Sequence, residues 1–227
     1  MELLPPQIAD ALNLPEGYSA AKEVAKIQKA VFPMFKEQGF TSKGRCFNKA
    51  SPDGTIRVVH FVTMPATSSE YGKFSVEIGV YIPEVWMFMH GSYGARIPKT
   101  FNIADCEVRL AVVPPGASSA RYQYWEAIAY PELTTRLRET LGEQASQFFG
   151  RFSDRAAILQ ELEKNDASVP WVRKDAPFIF AILDAEAGRT KPEAARHEFE
   201  SYLERALKFG HHHPDHEKYV RALIARL

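Results

Sequence analysis

The densest cluster of chemistry-bearing side chains is His211-His212-His213-Pro214-Asp215-His216-Glu217, which holds four of the seven histidines in this 227-residue chain. His212 and His216 stand four apart, a spacing that turns two imidazoles toward one metal ion on a helix face. Pro214, however, reads as the first residue of a helix. His213 then falls in the cap region, and Asp215 and Glu217 suit the positive end of the helix dipole. No zinc-peptidase motif accompanies the pair, and no further ligand follows at a fixed spacing. The expectation for His212 and His216 is adventitious metal binding at most.

A second constellation lies on strand-like segments. From Lys73 to Tyr81, Phe74, Val76, Ile78 and Val80 alternate with Ser75, Glu77, Gly79 and Tyr81. From Asp105 to Val113, Cys106, Val108, Leu110 and Val112 alternate with Asp105, Glu107 and Arg109. Glu77, Tyr81, Glu107 and Arg109 thus fall on a polar face, with the three charges Glu77, Glu107 and Arg109 directed outward. His60 joins them from the strand Ile56–Met64. Paired carboxylates do acid–base work when their surroundings push their pKa values apart. The blander reading, which the pattern favours, is a solvated cross-strand ion-pair ladder with a half-buried His60. Trp86 and Trp125, with Phe88, Tyr93, Tyr122 and Tyr124, sit in or near irregular segments. Such aromatics anchor interfaces or lid a core, and the core is the favoured reading. The binding candidates are therefore His60, Glu77, Tyr81, Glu107, Arg109, Trp86 and Trp125.

Charge is uneven along a balanced chain. Lys plus Arg is 28 and Asp plus Glu is 28, so no global field pulls the protein onto nucleic acid or an anionic membrane. Between Lys22 and Lys49 there are seven basic and two acidic side chains, a local charge of +5. Lys22, Lys26 and Lys29 share a helix face. Such a stripe grips phosphate or an acidic partner, or is simply the wet side of an amphipathic helix. No nucleic-acid motif accompanies it, which argues against that partner.

The elements that must position these residues follow from periodicity. Residues 1 to 18, with Pro5, Pro6, Pro15 and Gly17, read as an arm. Ser19 opens a helix with the stripe Val24, Ile27, Val31, Met34 and Phe35. Pro33 kinks it and Gly39 ends it. Gly44 to Ala50 is extended, Ser51-Pro52-Asp53-Gly54 is a turn, and Ile56 to Met64 is strand. Residues 84 to 100 read as an irregular connection, and Gln123 to Ala129 as a short final strand. Helices follow from Pro131 to Gly150, from a Ser153 cap, over 176 to 187, from a Thr190–Glu193 capping box through Leu207, and from Pro214. Strands gathered ahead of helices predict an α+β fold with an antiparallel sheet of about four strands. One sheet face is expected to be covered by the first helix and the Leu133–Phe148 helix. The expected division is an α+β domain over residues 1–163 and a helical extension over 164–227, packed on it.

Two cysteines, Cys46 and Cys106, make no disulfide framework and read as reduced, small apolar residues. The first basic residue is Lys22, which argues against a secretory signal. The longest apolar run, Phe178 to Leu183, is far short of a membrane helix. The expected setting is soluble and cytoplasmic. No dinucleotide fingerprint, Walker loop, nucleophile elbow or Cys-x-x-Cys is present, and nothing demands a cofactor.

The stretch Phe32-Pro33-Met34-Phe35-Lys36-Glu37-Gln38-Gly39-Phe40, followed by Lys43-Gly44-Arg45-Cys46-Phe47, resembles the opening of a bacterial family of domains of unknown function. Val58-Val59-His60-Phe61, Phe74 to Pro83, Cys106 to Leu110 and Phe148-Phe149-Gly150-Arg151-Phe152 continue the likeness, which covers roughly residues 20 to 163. The resemblance implies a small bacterial α+β protein with no established activity, and supplies no catalytic residues. Some related small domains are suspected to act as immunity proteins beside toxins. The resulting expectation is a non-enzymatic protein-binding, immunity-like module; the alternative is a small-ligand enzyme or hydrolase using Glu77, Glu107, Arg109 and His60.

Overall fold

The computed structural model describes residues 18–64, 72–90, 98–115, 125–127, 132–164, 183, 192–208 and 214–226. Helix α1 (Ala20–Lys36) begins where the Ser19 carbonyl accepts the Lys22 and Glu23 N–H groups. Its stripe of Val24, Ile27, Val31 and Phe35 is fully buried. Its end is a Schellman motif. Gly39 takes a φ of 87° and its N–H donates to the Lys36 carbonyl (2.9 Å), while Phe40 N–H donates to the Phe35 carbonyl (3.0 Å). The Phe35 and Phe40 rings meet at 5.2 Å, the apolar contact that accompanies this motif.

Strands β1 (Thr41–Lys43), β2 (Cys46–Ala50), β3 (Ile56–Thr63), β4 (Lys73–Tyr81) and β5 (Val108–Ala111) form an antiparallel sheet in that order. A short β6 (Trp125–Glu126) pairs with the start of β4, Phe74 opposite Trp125. The α+β class and the antiparallel sheet are thus as expected. A two-residue turn at Gly44-Arg45 joins β1 to β2, with Gly44 at a φ of 60°. The Ser51–Gly54 turn joins β2 to β3. There the Asp53 carboxylate accepts the Thr55 N–H (3.0 Å) and hydroxyl (2.7 Å).

Three boundaries differ from the sequence reading. Residues 84 to 90 are not irregular: α2 (Pro83–His90) starts at Pro83, which ends β4 and supplies the favoured first residue of a helix. The strand expected from Asp105 starts only at Val108. Ile103–Asp105 is instead a 3-10 turn closed by a reciprocal Asn102–Asp105 capping box. After α3 (Glu132–Arg151), it is Asp154 rather than Ser153 that caps α4 (Arg155–Glu163). Its carboxylate accepts the Ala157 N–H (2.9 Å), and that bond, then the Ser153 hydroxyl, holds the carboxyl below the usual aspartate range. Helices α5 (Pro192–Lys208) and α6 (Pro214–Arg226) complete the described chain. The first arm, the linker near Pro170-Trp171, the Thr190 cap and all of the 176–187 helix except Leu183 lie outside the described residues.

The chain gathers into two compact units. The first comprises residues up to 49 with 58–78 and 110–150; the second comprises 50–57, 79–109 and 151 onward. The first unit is held by phenylalanines. Phe47 lies 5.0 Å from Phe32, 5.5 Å from Phe35 and 5.5 Å from Phe61. Phe61 stacks on Phe74, and Phe40 meets Phe149 of α3. Gln144 brackets Val113, donating to its carbonyl (2.9 Å) and accepting its N–H (3.1 Å). In the second unit α5 packs on α6, and α6 touches α2.

Candidate functional site

The end of β4 is where sequence candidates converge in the second unit. Alternation along residues 105–113 directs Glu107 outward, but the structure buries it to 1% exposure. The reason is local. The chain turns into α2 at Pro83, so the buried Ile82 N–H has run out of sheet partners. A Glu107 carboxylate oxygen accepts that N–H at 2.8 Å, and the Glu107 N–H donates to Val80 O at 3.2 Å. The Ile82 carbonyl in turn accepts the Trp86 N–H (3.0 Å) and starts α2. A buried side-chain acceptor thus joins strand, helix and the approach to β5.

Tyr81, from the polar alternation of β4, is also wholly buried. Its ring lies 4.4 Å from Phe101 and 6.2 Å from Trp86, centroid to centroid. Its hydroxyl has no hydrogen-bond partner among the described residues. Burial first, then the negative charges of Glu107, Asp105 and Glu84, push the phenol far above its ordinary range. The hydroxyl is therefore neutral throughout the physiological range. The same strand face is closed at Gly79, where a Cβ would stand 2.8 Å from Cys106 Cβ and 2.9 Å from Ile103 Cδ1. Cys106 and Cys46 are both buried.

The other candidates divide by exposure. Trp86 is a core residue of α2. Arg109 is half-buried on β5. In the first unit, His60 is half-buried on β3 and Glu77 is half-buried on β4, where it accepts the Ser75 hydroxyl at 3.3 Å. Trp125 is buried there too, its indole N–H donating to the Val112 carbonyl at 3.1 Å. Thus Tyr81, Trp86 and Glu107 come together in the second unit, while His60, Glu77 and Trp125 fall in the first unit. His212, Tyr93, Tyr122 and Tyr124 lie outside the described residues; His216 falls in α6, and its side chain is not described. Among the described residues no group of three or more His, Cys, Asp or Glu side chains is arranged to hold a metal ion. No described helix is long and apolar enough to cross a membrane.

Two features of the second unit had no sequence signal. Arg155, at the start of α4, donates its N–H to the Asp53 carboxylate and its Nε–H to the Asp53 carbonyl, both at 2.9 Å, and pairs with Glu84. Arg57 reaches the Ser153 carbonyl at 3.2 Å. The second feature is a cleft of ≈ 580 Å³ between α5 and α6. Leu203, Leu207, Ile224 and Ala225 form its apolar lining, and Arg196, Glu200, Glu204 and Arg221 its charged rim. Arg221 is already paired with Glu217 of its own helix at 2.8 Å. Leu203 and Leu207 stand at helical spacing in the sequence, yet nothing in one helix reveals how far the next one leaves them uncovered.

The chain matches no curated protein and no solved structure. One family does match, over residues 31–151, a span that includes α1 from Val31, the whole sheet and α3. That is more than half of the chain and falls within the stretch carrying the resemblance noted above. The chain belongs to the DUF4304 family, a domain of unknown function.

Proposed function

We propose that this chain is a non-enzymatic protein-binding module, immunity-like, from a bacterial cytoplasm, with an α+β domain over residues 1–163 and a helical extension over 164–227. The observation that supports this reading is the cleft between α5 and α6. An aliphatic lining one turn long, open between charged rims, suits an amphipathic helix laid into a groove. Glu200 and Glu204 stand one turn apart on the α5 rim, so the occupant is a partner helix bearing two aliphatic residues one turn apart and basic residues toward those glutamates.

The test is capture from the native host by the purified chain, compared with Leu207→Glu and Ile224→Lys variants. Both side chains are half-exposed, so the fold tolerates the change. A stoichiometric protein retained by the parent chain and lost, by at least about tenfold, from both variants supports the reading. Retention by both variants overturns the cleft as the site.

A small-ligand enzyme or hydrolase is the second reading, and the observation favouring it is the buried Glu107 beside the phenol of Tyr81. In the same preparations it requires turnover that is lost in Glu107→Gln while the melting temperature is kept.

A further inference from the structure

We draw no further inference here: the strongest candidate, the side-chain cluster at the β4–α2 junction that buries the Tyr81 hydroxyl near Glu107, belongs to the candidate site already described.

Discussion

The two compact units solve the same problem with different materials. The first is closed by rings: Phe32, Phe35, Phe47, Phe61 and Phe74 run in contact from α1 across three strands. The second adds polar partnerships, with the buried Glu107 side chain on a backbone N–H and the half-buried Arg155 tied to Asp53 and Glu84. Apolar packing is tolerant of small adjustments and scales with area. A buried carboxylate is far less forgiving, because its cost is offset only while its hydrogen bonds are intact. The contrast teaches that the first unit is specified by composition and the second by individual partnerships.

The largest expected effect tests the apolar side. Phe47→Ala removes a fully buried ring touching three others. The loss should be about 3–5 kcal/mol of unfolding free energy, read by denaturant titration. Phe47→Leu, which keeps most of the volume, should recover more than half of it. If alanine costs under about 1 kcal/mol, the ring chain is not what closes this unit.

Glu107 tests the polar side. Glu107→Ala leaves the Ile82 N–H buried and unanswered, at a cost of about 2–3 kcal/mol. Glu107→Gln retains a carbonyl acceptor of the same length and should cost clearly less. The ratio between the two sharpens the comparison, because a position that merely fills space would treat alanine and glutamine according to volume alone. Equal losses would mean that the charge itself, rather than the acceptor, holds the β4–α2 junction.

This division also explains how much could be read from the sequence. The α1 stripe, the Gly39 stop, the extent of β4 and the Ser51–Gly54 turn were legible because each is fixed by residues within a few positions of one another. Phe40 after Gly39 even announces the apolar contact of the helix end. The orientation of Glu107 was not legible. Alternation assigns it to a face but does not say whether that face is wet, and its partner Ile82 lies 25 positions away. β4 is buried on nearly every residue, so both of its faces are covered, and the cover over Gly79 comes from Ile103 and Cys106. Arg155 and Asp53 are 102 positions apart, beyond any local pattern. The α5–α6 cleft depends on the angle and separation of two helices, which neither stripe encodes.

The smallest expected effect is the most discriminating. Tyr81→Phe deletes one hydroxyl that is wholly buried and has no partner among the described residues. Its ring stays on Phe101 and Trp86, so packing is unchanged. If the hydroxyl has gained nothing on leaving water, its removal is neutral or stabilising by up to about 1 kcal/mol. A loss greater than about 1 kcal/mol instead requires an acceptor or an internal water at that oxygen, in the midst of Glu107, Asp105 and Glu84. Combining Tyr81→Phe with Glu107→Gln separates these cases. Additive changes mean that the hydroxyl and the carboxylate are independent neighbours. A coupling beyond about 0.5 kcal/mol joins them in one network and makes the second unit's polar centre a single cooperative element rather than two adjacent compromises.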